Sequence, residues 1–169
     1  MKKNLLVRDP ANLTSTTLLQ VGQRSSKGLE GSLSLELPQG FGLDANASVL
    51  EARFDSFNTG GISYSGKTPP GVPEATANLW LRYDVSARFQ TRLGLRYVGK
   101  TYSDNANRFR VPGYAVMDGG VSFAVTKNVA ANLRVYNLFD KDYATTTYND
   151  EQWLLGRSRS VDVSISARF

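Results

Sequence analysis

The sequence predicts an all-β chain whose antiparallel strands cross a membrane as the wall of an outer-membrane β-barrel. Apolar and polar residues alternate with period two along about eight segments. Charged residues occupy the face opposite the leucines, as expected of a barrel with a wet interior. Short turns and long loops also alternate, which places all short turns at one end of the sheet and all long loops at the other, as in bacterial outer-membrane barrels.

Composition excludes most enzymatic and metal chemistry. Histidine and cysteine are absent from the 169 residues, so Ser-His triads, imidazole or thiolate metal ligands and disulfides are all excluded. We therefore expect no enzyme, no catalytic or metal-binding residues and no cofactor. The net charge is +5, but Lys and Arg are scattered singly, and we expect no nucleic-acid partner.

The first part of the chain predicts two strands. A short strand is expected over 2–8, followed by a turn at 9–12. Apolar residues then keep odd-numbered positions from Leu19 to Leu37, which indicates one long strand. The segment 29–37 has nine residues. A tilted strand needs roughly nine to eleven residues to cross a bilayer, so this segment is long enough.

The middle of the chain predicts a tight turn at 38–42 and a strand that begins at Leu43 and runs towards Phe57. Alternation is lost over 50–54, where the pattern is compatible either with a β-bulge or with exit from the membrane. The Gly-, Ser- and Pro-rich segment 58–73 is expected to form a long exposed loop.

The remaining strands share the same alternation. They are predicted over 78–85, 89–97, 117–125, 129–136 and 160–169. Long loops are expected at 103–111 and 143–156, and short turns near 86–88 and 126–128. Gly28, Gly31 and Gly120 are expected where a curved sheet bends or where backbones approach closely.

The segment 137–143 (NLFDKDY) is similar to a box near the C-terminus of TonB-dependent outer-membrane receptors. Further segments that resemble this family follow the family's order and cover nearly the whole chain. The QWLLG run suggests the siderophore branch. The other matching segments are 20–30, Pro73 with 78–83, Pro112 to Tyr114 with Asp118 and Gly120, and 152–157.

The resemblance implies TonB-dependent uptake of ferric siderophores across the outer membrane of a Gram-negative cell. The ferric siderophore is then the transported ligand and not a cofactor. The family's complete receptor has an N-terminal plug and a barrel of about twenty-two strands. Residues 1–169 would therefore be the C-terminal portion of the barrel, with the plug absent and the eight strands forming an open curved sheet.

The resemblance also implies partners. These are the ferric siderophore, the TonB complex through the missing N-terminal part, the barrel-assembly machinery through the C-terminal strand, and lipid or lipopolysaccharide. Three alternatives stay open: a self-contained eight-stranded barrel with a structural or anchoring role, a soluble β-sandwich, and an outer-membrane enzyme that uses a Ser-Lys or Asp pair.

In the family, aromatic and Arg side chains of the outer loops and inner wall contact the ferric complex. The candidates for ligand binding are Tyr102, Arg108, Phe109, Tyr148 and Trp153. A role in folding and assembly is expected for the motif residues Asn137, Leu138, Phe139, Asp140, Tyr143 and Phe169. Asn and Asp suit a strand end because their side chains can satisfy nearby backbone groups.

Overall fold

A computed structural model describes residues 2–8, 18–149 and 151–168. Within these ranges helical structure is limited to one 3₁₀ turn, Pro38–Gly40, and no helix is long and apolar enough to cross a membrane. The strands are β1 (Lys2–Arg8), β2 (Leu18–Leu37), β3 (Phe41–Thr59), β4 (Ile62–Ser63), β5 (Ala75–Ser86), β6 (Phe89–Val98), β7 (Thr101–Tyr102), β8 (Arg110–Val111), β9 (Tyr114–Ala124), β10 (Val129–Tyr136), β11 (Ala144–Thr147), β12 (Trp153–Leu155) and β13 (Ser160–Ala167).

The eight predicted strands form one sheet in the order β1-β2-β3-β5-β6-β9-β10-β13. Every neighbour is antiparallel and follows in chain order, so the sheet is an up-and-down meander. In the described ranges β1 pairs only with β2 and β13 only with β10, which leaves the sheet open. The predicted all-β fold and the open sheet are confirmed; the turn expected at 9–12 lies outside the described residues.

The strand register collects the apolar side chains on one face of the sheet. Leu35, Leu43, Leu81 and Leu93 face one another across four adjacent strands. This face is not covered by the protein: the exposed fraction of Val163 and of Ile165, for example, is 75%. Because a soluble sandwich must bury such a face, the arrangement favours contact with lipid.

The loss of alternation over 50–54 marks the point where the strand leaves the apolar band of the sheet, and not a β-bulge. Pairing with β2 continues without a shift through the whole segment. Val49 is the last apolar residue of β3 on the apolar face of the sheet. The next two residues on this face are Glu51 and Arg53, and both are exposed. The register shift comes later, at Asp55, which has no partner on β2. Charges thus replace leucines while the strand continues past the apolar band.

Short hairpins that the sequence pattern did not indicate occur at all three predicted long loops. The end of β3 pairs with β4, β7 pairs with β8, and β11 pairs with β12, over two to three residue pairs each. Strands this short lack enough residues to show a period-two pattern. The pairing gives loop backbone groups internal partners.

The three glycines predicted to allow close approach differ. A β-carbon at Gly28 would lie 2.4 Å from the Val49 carbonyl oxygen, and one at Gly120 would lie 3.1 Å from the Leu133 carbonyl oxygen. At Gly31 a β-carbon would meet no atom within 4 Å. Close approach is therefore confirmed at Gly28 and Gly120 but does not occur at Gly31, where the alternative of a bend stays a prediction.

Candidate functional site

The long loops form a connected layer at one end of the sheet. The Asn107 side chain accepts a hydrogen bond from Thr68 N at 2.8 Å and donates one to Thr68 O at 2.7 Å. Gly71 N donates to Tyr102 O at 2.8 Å. The second loop adjoins the third, where β8 lies against β11. We call this set of segments, 60–74, 99–113 and 143–156, the loop layer.

The turn that presents Asn107 is organised by the carboxylate of Asp104. Its oxygens accept hydrogen bonds from Arg108 N at 2.8 Å, Phe109 N at 3.0 Å and Arg108 Nε at 3.0 Å. Burial by itself would raise the pKa of Asp104, but the hydrogen bonds from Phe109 and Arg108 outweigh it and hold that pKa below the usual value of a carboxyl group. Asn107 adopts φ 58°, a conformation that Asn tolerates better than most residues.

A cavity of about 550 Å³ lies between β3 and the first two loops. Tyr102, one of the predicted ligand contacts, lines it together with Thr68 and Val72. Lys100 and Glu74 also line it and form an ion pair at 3.0 Å. This cavity places aromatic, cationic and anionic groups together under the loop layer.

The other predicted ligand contacts occupy two adjacent hairpins. The guanidinium of Arg108 lies 5.2 Å from the centre of the Phe109 ring, and its side chain is 71% exposed. Tyr148, 73% exposed, and Trp153 belong to the hairpin region of β11 and β12. The structure therefore puts all five candidates in the loop layer; their contact with a ligand stays a prediction.

Sequence reasoning missed Asn107, Lys100 and Glu74. The Asp-Asn-Ala-Asn run at 104–107 did carry a turn signal. Its clamp on Thr68 depends on a contact between two loops, which the sequence did not indicate.

The motif that begins at Asn137 joins several strands at the base of the third loop. Asn137 is 3% exposed and has φ 49°. Its amide nitrogen donates to Lys141 O at 2.9 Å and to Arg157 O at 3.0 Å, and its amide oxygen accepts from Lys141 N at 2.9 Å. Its backbone N–H donates to the Asp118 carboxylate at 2.8 Å. One side chain thus ties the end of β10 to the chain entering β13.

The remaining motif residues extend this junction. Asp140 accepts a hydrogen bond from Arg159 N at 2.8 Å. Leu138 packs on Gly119, where a β-carbon would lie 3.3 Å from its side chain. The junction members also include Tyr143, whose ring lies against the Tyr114 ring at an angle of 36° with centroids 4.3 Å apart. The Tyr143 ring occupies the space that a side chain at Gly156 would need. Phe139 is 74% exposed, and Phe169 lies outside the described residues.

Comparison with known proteins agrees with the fold and the motifs. Residues 2–138 match the family model described as TonB dependent receptor-like, beta-barrel. The ferrioxamine receptor of Yersinia enterocolitica is 28% identical over 98% of this chain and 24% of its own length. The ferrichrome outer membrane transporter/phage receptor of Escherichia coli K12 is 29% identical over 99% of this chain and 23% of its own.

Solved structures show the same relationship. The crystal structure of the siderophore receptor PiuA from Acinetobacter baumannii matches with a TM-score of 0.78 and 29% identity, over 97% of this chain and 24% of that one. The ferric yersiniabactin uptake receptor FyuA from Yersinia pestis matches with a TM-score of 0.77 and 26% identity, over 90% of this chain. The chain thus spans about a quarter of the length of the proteins it matches.

Proposed function

The chain belongs to the TonB dependent receptor-like β-barrel family, and from that premise we propose that it is part of a receptor that takes up ferric siderophores. Such receptors lie in the outer membrane of Gram-negative bacteria, and two of the relatives described above are named for ferrioxamine and ferrichrome. Receptor function also agrees with the prediction that the chain is not an enzyme. The domain assignment, 1–169 as the C-terminal portion of the barrel without the plug, stays a prediction.

The observation that carries the proposal is the connected loop layer. The Asn107 clamp holds two loops at fixed separation, so aromatic and guanidinium groups from different loops can act on one ligand. Such groups suit a bulky iron chelate, since aromatic rings supply large contact areas and guanidinium pairs with anionic oxygens.

The partners follow from the same proposal. Ferric siderophore binds at the loop layer, and TonB acts through a part of the receptor outside these residues. Lipid or lipopolysaccharide covers the exposed apolar face, and the barrel-assembly machinery pairs with the free edge of β13. The alternative of a closed eight-stranded anchoring barrel requires β1 to pair with β13, and the described residues of these strands show no such pairing.

The test is direct binding of ferrioxamine B and ferrichrome to the chain in detergent micelles. Quenching of the chain's tryptophan fluorescence measures the binding. We expect saturable binding of at least one ferric complex, weakened about tenfold or more by Asn107→Ala because the two loops separate. Lys127→Gln, in an exposed short turn at the other end of the sheet, is the control and should bind as the parent chain does. Absence of saturable binding by the folded chain, or equal weakening by both variants, would contradict the proposal.

A further inference from the structure

The loop layer carries no net formal charge, although the chain as a whole is positive. Its three segments contain as many acidic as basic residues. These residues are Lys67, Lys100, Arg108 and Arg110, and Glu74, Asp104, Asp150 and Glu151. Because the whole chain has a net charge of +5, its excess of positive charge lies outside the loop layer. A ligand bound at the layer therefore meets balanced charges.

Two of the layer's cations are each paired with a carboxylate from the same layer. Lys100 Nζ lies 3.0 Å from Glu74 Oε2, and Arg108 Nε lies 3.0 Å from Asp104 Oδ2. The lowered pKa of Asp104 keeps its carboxylate ionised at neutral pH. The attraction that such a pair exerts on an anionic ligand is smaller than that of a single cation, because the carboxylate repels the same anion.

Neutralisation by Asp104 leaves Arg108 able to donate hydrogen bonds. A guanidinium has several N–H donors, and the carboxylate of Asp104 accepts the one on Nε. The side chain of Arg108 is 71% exposed, so its other donors can reach a ligand. The layer thus offers donors to the oxygen atoms of a chelate without offering it an excess of positive charge.

The cavity under the loop layer adds apolar walls to this balanced pair. Leu50, Ala52 and Val72 line it together with Lys100 and Glu74. Moving a charged group from water into partly apolar surroundings is unfavourable unless an opposite charge compensates it. Because Glu74 already pairs with Lys100, a ligand with excess negative charge would find no free cation of this cavity to compensate it.

We propose that the loop layer selects ferric complexes without net negative charge, and that Glu74 and Asp104 are the residues that set this preference. Hydroxamates are singly charged, so a ferric ion that they chelate fully forms a neutral complex. Catecholates are doubly charged and leave the corresponding complex with excess negative charge. The hydroxamate class is therefore the one that the layer binds more tightly. This inference rests on the proposed siderophore-binding function and adds a chemical class of ligand to it.

The experiment compares two ferric complexes that differ in charge but not in shape. A tris-hydroxamate and a tris-catecholate built on the same tripodal scaffold are loaded with radiolabelled iron. Equilibrium dialysis against the folded chain in uncharged micelles gives the two dissociation constants. We expect the parent chain to bind the neutral complex about tenfold or more tightly than the anionic one. Added KCl should reduce this preference, because salt screens the charges.

Three variants test whether charge is the cause. Glu74→Gln leaves the charge of Lys100 unbalanced, so it should lower the preference for the neutral complex about tenfold. Glu74→Gln combined with Lys100→Gln restores the charge balance and should restore the preference, which a mere loss of structure would not do. Glu36→Gln is the matched control. It breaks an ion pair with Arg82 at the other end of the sheet and changes the net charge equally, so it should leave the preference unchanged.

The outcomes separate this selectivity from the receptor function on which it rests. If the parent chain binds the anionic complex as tightly as the neutral one, or more tightly, the selectivity is wrong while the receptor function stands. Equal shifts for Glu74→Gln and Glu36→Gln would likewise overturn the roles given to the loop-layer carboxylates. Binding of neither complex would contradict the receptor function itself, and the selectivity with it.

Discussion

Replacing Asn137 by Ala should open the junction between β10 and β13. The substitution removes both donors of the amide, which satisfy the Lys141 and Arg157 carbonyls, and the acceptor that satisfies Lys141 N. It also places an alanine at φ 49°. The site is 97% buried, because only 3% of Asn137 is exposed, so water replaces these partners poorly.

The expected cost follows from these contacts. Each hydrogen bond that a buried group loses costs about 1 kcal/mol. A left-handed conformation adds about 1 kcal/mol for a residue with a β-carbon. We therefore expect the junction to be destabilised by roughly 2–4 kcal/mol, which raises the population of the open form roughly 30- to 1,000-fold.

Limited trypsin digestion of the chain in micelles measures this opening, because Lys141 and Arg157 lie on either side of the β11–β12 hairpin. Asn137→Gly lacks the side chain but adopts the left-handed conformation freely, so it should be cleaved more slowly than Asn137→Ala. Phe139→Ala, at a 74% exposed position of the same motif, should be cleaved like the parent chain. Equal cleavage rates for Asn137→Ala and the parent would refute the reasoning.

Two further predictions concern the wall and the loop layer. Gly94→Val should displace the Trp80 ring, shift its fluorescence and lower the free energy of unfolding by about 1–3 kcal/mol. At Gly31 a β-carbon would meet no atom within 4 Å, so Gly31→Val should change the free energy of unfolding by less than about 0.5 kcal/mol. Because the folded-state pKa of Asp104 is lowered, the stability that its carboxylate contributes is fully present above the unfolded value of about 3.9 and is lost as pH falls through the folded value. Hydrogen exchange at Phe109 N should therefore accelerate as pH falls through the folded-state pKa of Asp104. In Asp104→Asn this acceleration should disappear.

The strands could be predicted from the sequence because period two is a local property. The alternation within 29–37 is enough to show which side of the strand faces lipid. In the structure this segment is the end of one strand, Leu18–Leu37. The pairs β2–β3, β5–β6 and β9–β10 could be predicted from the connections, since short turns join antiparallel neighbours, but the long loops between the other strands do not fix their neighbours in this way.

The end of the apolar stripe at Val49 could not be predicted in this way. A bulge and an exit from the membrane both break the alternation, and only pairing with β2 distinguishes them. The clamp between Asn107 and Thr68 could not be predicted for a related reason. Its two partners lie on different loops, so no sequence pattern within one loop indicates the contact.

Neighbours on different strands show where a local reading of a β-sheet ends. Arg92, Gly120 and Arg134 belong to three strands, and in sequence each is one more polar-face residue. They become neighbours only when the register sets them opposite one another, and a slip of one residue would move Gly120 to the apolar face. The turn between β9 and β10 holds this register, because Thr126 Oγ1 accepts hydrogen bonds from the backbone N–H groups of both 128 and 129. The chemistry of the wall therefore depends on its turns as much as on the arginines themselves.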